Sequence, residues 1–122
     1  MKFGISNLSI IPQRSEANDI AEMTNQVLFG EHFKVLEIRK KWSKIRLSHD
    51  SYEGWICNKQ WQEISEEDYK QLDKDVATIT TDILDIITKE YQQPIVIGSV
   101  LPFYKSGHAL INEEMYKFDG LS

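Results

Sequence analysis

From Gly4 to about Ile64 short apolar runs alternate with polar, glycine-bearing breaks, a rhythm of strands and turns rather than of helices. "LSIIPQR" opens as an extended run, and Pro12 biases Ile11 towards extended geometry. "RSEANDIAEM" is polar and turn-rich and is predicted as a loop. "TNQVLFGEHFKVLEI" holds two apolar runs with a sharp change of direction at Gly30. "KVLEI" and "WSKIRL" flank "RKK", which predicts a hairpin with a three-residue loop. "SHDSYEG" is the next turn and "WICN" a short closing strand. Strands this short and this closely spaced predict a small β-barrel over residues 1–64.

Pleating sharpens the reading of "WSKIRL". Side chains alternate faces along a strand, so Ile45 and Leu47 share one face while Trp42, Lys44 and Arg46 share the other. Trp42 therefore points away from the core that Ile45 and Leu47 build, and packs on the second half of the chain, a partner or a ligand. After Ile64 the pattern changes. Ser65 followed by Asp68 fits a helix N-cap, and Glu66 and Glu67 favour the positive end of the helix dipole, so residues 65–75 are predicted as a short helical connector. β character returns in "VATITTDILDIIT", "PIVIGSVLPFY", "HALI" and "MYKF". Residues 76–122 form a second β unit, with few residues to close a barrel unless its neighbour helps. The fold class is mainly β: two small barrels, or a barrel plus a partial second one, joined by a short helix.

The composition fits a soluble globular chain, with 41% hydrophobic and 27% charged residues in 122. A net charge of −5 and only one short basic run, Arg39–Lys41, argue against nucleic acid as the main partner, because phosphate binding needs a basic footprint. No apolar run approaches the roughly 20 residues of a membrane-spanning helix. The N-terminus lacks the sustained apolar stretch of a secretory signal. Two locations fit this: the cytoplasm, or the periplasm or cell envelope after removal of a signal.

No catalytic centre is visible. Cys57 is the single cysteine, placed on the closing strand rather than at a helix start where a thiolate is stabilised. His32, His49 and His108 lie in unrelated contexts and read as surface or turn residues. No His, Cys or carboxylate spacing matches a metal site, and the isolated glycines form no phosphate-cradling loop, so no cofactor is expected. What remains is recognition. Tyr52, Trp55 and Trp42, with Trp61 beside them in sequence, supply rigid apolar surface, and Asp50, Glu53, Glu16 and Asp19 supply acceptors in the loops. Carboxylates beside aromatics favour a cationic group such as a free amine. The same aromatics could equally fill a barrel.

The order "IIPQR", "MTNQVLFGE", "KVLEI", "WSKIRL" and "YEGWI" resembles a bacterial SH3 domain over about Ile5 to Trp61. With "FGISNLSIIPQRSE" before it and "VIGSVLPFY" and "YKFDG" after it, the chain is similar to the N-terminal part of NlpC-type cell-wall cysteine peptidases. In that group tandem SH3-like units precede a papain-like domain that cleaves the γ-D-glutamyl to diamino acid bond of peptidoglycan stem peptides, several members serving in muropeptide recycling. The Asp-Cys-Ser-Gly type nucleophile motif of that domain is not present in these residues. The resemblance implies a non-catalytic region that orients stem peptides with a free N-terminal L-alanine for a catalytic domain, with no hydrolytic activity of its own. It places Tyr52 at the tyrosine before Gly-Trp that faces the substrate cleft, with Asp50 and Glu53 as acidic companions and Trp42 and Trp55 nearby. The alternative is a stand-alone SH3-like module that binds a protein or an extended peptide.

Overall fold

A computed structural model describes residues 2–75, 79–80, 84–89, 92–96, 98–105 and 107–119. The N-terminal half forms seven strands: β1 (Lys2–Ile5), β2 (Ile10–Arg14), β3 (Met23–Leu28), β4 (His32–Ile38), β5 (Trp42–Leu47), β6 (Glu53–Cys57) and β7 (Gln62–Ile64). Helix α1 (Glu66–Lys74) follows, then β8 (Leu84–Thr88), β9 (Gln92–Val96), β10 (His108–Ile111) and β11 (Glu114–Asp119). The first sheet has the order β3-β2-β6-β5-β4-β1-β7 and the second the order β10-β11-β8-β9. All pairings within the two sheets are antiparallel.

The first sheet curls around a core of Ile11, Val27, Phe33, Val35, Ile45, Leu47 and Ile56. These residues come from five strands that span most of the sheet, from β3 at its edge to β4, and a flat sheet could not bring them into one cluster. The expected hairpin is present: Arg39 N–H donates to the Trp42 carbonyl across the 39–41 loop, and Asn58 braces that loop from outside by donating to the Arg39 carbonyl. Pleating on β5 runs as the sequence predicts. Ser43, Ile45 and Leu47 are buried, while Trp42 and Lys44 are half-buried and Arg46 exposed on the other face.

The helix is capped as its sequence prescribes. Ser65 Oγ accepts from Asp68 N–H at 3.0 Å, and three acidic residues occupy the first turn. Tyr69 is buried against Phe3, with ring centroids 4.5 Å apart, which holds the helix on the outside of β1.

Two strands are absent from the sequence reading. β1 and β7 pair with each other, and β1 also pairs with β4, so they extend the barrel sheet towards the second unit. β1 shows no hydrophobic alternation because both its faces are covered. Phe3 and Ile5 face the second unit, while Gly4 faces the barrel, where an added Cβ would run into the rings of Phe33 and Trp61.

The second sheet has no separate core among the described residues. Ile87, Ile95, Leu101, Ala109, Ile111, Tyr116 and Phe118 share one cluster with Phe3, Ile5, Phe29, Ile64 and Tyr69 of the first half. The shortage of residues in the C-terminal half is met by apolar surface lent from β1, β7 and the helix. Gln93 of β9 also donates to the Asn7 carbonyl at 3.0 Å. Trp42, for which packing on the second half was one expectation, is not part of this shared cluster.

Candidate binding site

Tyr52 follows a tight turn that begins at the end of β5. Ser51 sits at φ 60° and donates its N–H to the Leu47 carbonyl, and Leu47 N–H donates to the Tyr52 carbonyl at 3.0 Å. The Asp50 side chain closes an Asx turn by accepting from Tyr52 N–H at 2.9 Å. Buried Gln13 of β2 donates to the same Tyr52 carbonyl at 3.4 Å. The backbone of Tyr52 is thus held by β2, β5 and its own turn, while its side chain remains 39% exposed. β2 pairs with β6 through Arg14 and Trp55, so the 15–22 loop, which carries Glu16 and Asp19, departs at the Tyr52 end of β6.

The remaining sequence-derived residues spread over the outer face of the β5–β6 pair. Glu53 stands opposite Arg46, whose guanidinium lies 2.7 Å from its Oε2, with Lys44 Nζ 4.0 Å from Oε1. The Glu53 carboxylate therefore already has two cations. Trp55 shares this face with Lys44 and is buried, but not in the barrel core that Ile56 enters. The Arg39 guanidinium lies 4.4 Å from its ring centroid. The basic turn is thus more than a solvated loop: one of its three charges covers a tryptophan. Trp42 pairs with Cys57 at the far end of β6, about 13 Å from Glu53 at about 3.3 Å per residue. The fold gathers Asp50, Tyr52 and Glu53 at one end of the barrel and leaves Trp42 at the other. Trp61 packs edge-on against Phe33, under the barrel.

On the other side of the 48–51 turn lies a cavity of about 580 Å³ between the barrel, the helix and the second unit. Its apolar wall includes Leu28, Leu72, Val100, Leu101 and Phe103, and its ionisable residues are Glu31, His32, His49, Asp75 and Tyr104. Glu31 and His49 also line an adjoining, more open groove that reaches Asp50. Glu31 is only 9% exposed. Its Oε1 accepts from Leu28 N–H at 2.6 Å, and its Oε2 lies 3.2 Å from His49 Nδ1. Burial holds the Glu31 carboxyl above the ordinary glutamate range, against the opposing effects of the Leu28 amide and His49. His32 Nε2 meets Asp73 Oδ1 at 2.6 Å, and Ser48 donates to the same oxygen, which ties the helix to β4 and the turn.

No motif in the sequence marks this cavity, and its two histidines stand in unrelated sequence contexts. The 48–51 turn folds back beside the start of β4, with Ser48 N–H donating to the His32 carbonyl, and so sets His32 and His49 on one wall. The available signal was Glu31 itself, a carboxylate placed directly after a glycine at φ 81° between two apolar runs. Among the described residues, no group of His, Cys, Asp and Glu is arranged to hold a metal ion, and no helix is long and apolar enough to cross a membrane.

Residues 14–60 match the family model of the bacterial dipeptidyl-peptidase SH3 domain. Among solved structures, an NlpC/P60 family protein from Bacillus cereus ATCC 10987 matches 95% of this chain with a TM-score of 0.73 at 12% sequence identity. The chain spans 53% of that structure's length, and at such identity the likeness is one of fold. No curated protein sequence matches. The family match marks residues 14–60 as a bacterial SH3-like segment, and the structural match supports the mainly β, SH3-like fold of the chain.

Proposed function

We propose that this region recognises peptidoglycan stem peptides with a free N-terminal L-alanine and orients them for the papain-like domain of a cysteine endopeptidase. The observation that carries the reading is Tyr52: an exposed aromatic ring on a backbone fixed by Asp50, Leu47 and Gln13. A ring held in this way offers contact area at little cost in conformational entropy, which suits recognition better than packing. Glu53 is engaged by Arg46 and Lys44, and Asp50 by the Tyr52 amide, so both shape the surface around the ring more than they offer free charge. Exposed Glu16, on the loop that leaves β2 at this end of the barrel, is the carboxylate assigned to the peptide amine.

The test is titration of the chain with L-alanyl-γ-D-glutamyl-diaminopimelate and with the same peptide acetylated at its amine. The free peptide should bind at least about tenfold more tightly, equivalent to about 1.4 kcal/mol. Equal binding of the two peptides would remove the amine from the recognition.

A further inference from the structure

The cavity between the barrel and the second unit lies apart from the Tyr52 ring and has chemistry of its own. Its volume of about 580 Å³ falls within the usual range for a small-molecule site, roughly 300–1,000 Å³. Most of its lining is apolar, drawn from β3, the helix and the Val100–Tyr104 segment. Its described lining holds two carboxylates, Glu31 and Asp75, two histidines, and no lysine or arginine. A carboxylate ligand would meet Glu31 without a lysine or arginine to offset the repulsion. A cation would relieve the burial of Glu31, and an apolar body would displace water from Leu28, Leu101 and Phe103.

We infer that this cavity is a ligand site for an apolar primary amine, the hydrocarbon lying against Leu28, Leu101 and Phe103 and the ammonium paired with the Glu31 carboxylate. Glu31 is already positioned for that role. The Leu28 amide fixes one of its oxygens, and the carboxylate stands where the cavity meets the more open groove beside His49 and Asp50. His49 is mostly exposed, so it can turn away as the ammonium arrives at Glu31 Oε2. The facing ionisable groups are His49 and Asp50 from the turn, His32 from β4, Asp75 after the helix and the phenol of Tyr104. The inference does not depend on stem-peptide recognition, because it uses neither Tyr52 nor a peptide.

The 122-residue chain, labelled with ¹⁵N, is titrated with 2-phenylethylamine and, separately, with 2-phenylethanol, which keeps the hydrocarbon and loses the charge. Saturable shifts at the amides of Leu28, Glu31 and Leu101 are expected with the amine, and at least tenfold weaker binding with the alcohol. Glu31→Gln, which retains an acceptor for the Leu28 amide, should lose the preference for the amine, while Tyr52→Ala should keep it. Ile79→Trp, at an exposed position that lines the cavity, should block both probes. Equal affinity of amine and alcohol in the unmodified chain overturns the cation site, and this comparison needs no variant to fold. Absence of saturable shifts overturns the cavity as a ligand site. Shifts at the same amides on raising protein concentration alone would assign the surface to a second copy and also overturn the proposal.

Discussion

Val100 and Gly30 meet backbone to backbone. Val100 N–H donates to the carbonyl of Phe29 at 2.7 Å, and the Val100 carbonyl occupies the space that a Cβ on Gly30 would need. Gly30 itself sits at φ 81° and donates to the Ser6 carbonyl. One glycine therefore turns β3 into β4, ties the barrel to the loop after β1, and admits the Val100 backbone, which lies between β9 and β10. Gly30→Ala combines a left-handed backbone, worth about 1–2 kcal/mol, with displacement of Val100. It should lower stability by at least about 2 kcal/mol. Urea unfolding checks the figure, and a change below about 0.5 kcal/mol would mean that the junction yields without cost.

This junction also marks how far the sequence could be read. Local signals were legible: Gly30 between two apolar runs, the three-residue loop before Trp42, and the Ser65–Asp68 cap each act within a few residues. β1 was hidden because its two faces meet two different cores, so Phe3 and Ile5 alternate with a glycine instead of a polar residue. Trp55, beside Ile56 in sequence, reads equally as recognition surface or as barrel filling. It is buried on the opposite face, under an arginine 16 positions earlier in the chain. The cavity depends on Glu31, Leu72 and Val100, which come together only when the second unit docks, and no local pattern encodes that. The Tyr52 turn was legible, but the engagement of Glu53 by Arg46 was not, because it follows from cross-strand register.

The contact of Asp73 with Ser48 and His32 predicts a pH dependence. Burial alone would raise the Asp73 carboxyl. The bonds from Ser48 and His32, with the nearby charges of His32 and Lys34, outweigh it and hold the group below its ordinary value of 3.8. A depressed carboxyl stabilises the folded state above the unfolded value, and that stability is lost as pH falls through the folded value. Asp73→Asn should therefore destabilise the chain at neutral pH and differ progressively less from the parent between about pH 5 and about pH 3. The Asp73 side chain is 40% exposed, so the neutral-pH loss should stay under about 1 kcal/mol. Urea midpoints across that range would expose an error if the gap between the two proteins widened on acidification.

Glu31 has the opposite sign. Its carboxyl, raised above 4.5 chiefly by burial, makes the folded state bind a proton more readily than the unfolded chain. Its contribution is therefore most favourable at low pH and declines as pH rises from 4.5 through the raised value. Glu31→Gln removes this decline while keeping an acceptor for the Leu28 amide. The variant should be at least as stable as the parent at pH 7, with an advantage that grows from about pH 4.5 upward. A less stable variant at pH 7 would mean that pairing with His49 outweighs the cost of burial.

The last prediction concerns the ring of Tyr52 in the whole peptidase proposed above. Its backbone is held by groups that do not involve the ring, so Tyr52→Ala should leave the fold intact and change stability by no more than about 1 kcal/mol. If the ring forms one wall of the substrate cleft, its removal loses contacts with the stem peptide. kcat/KM should then fall by about tenfold, equivalent to about 1.4 kcal/mol. Tyr52→Phe separates the two ends of the side chain: retained activity assigns the effect to the aromatic face, and a matching loss assigns it to the hydroxyl. Ile20→Ala, at a position 95% exposed on the 15–22 loop, serves as a surface control. Unchanged kinetics for Tyr52→Ala, with folding preserved, would take Tyr52 out of the cleft and leave recognition to another face of the barrel.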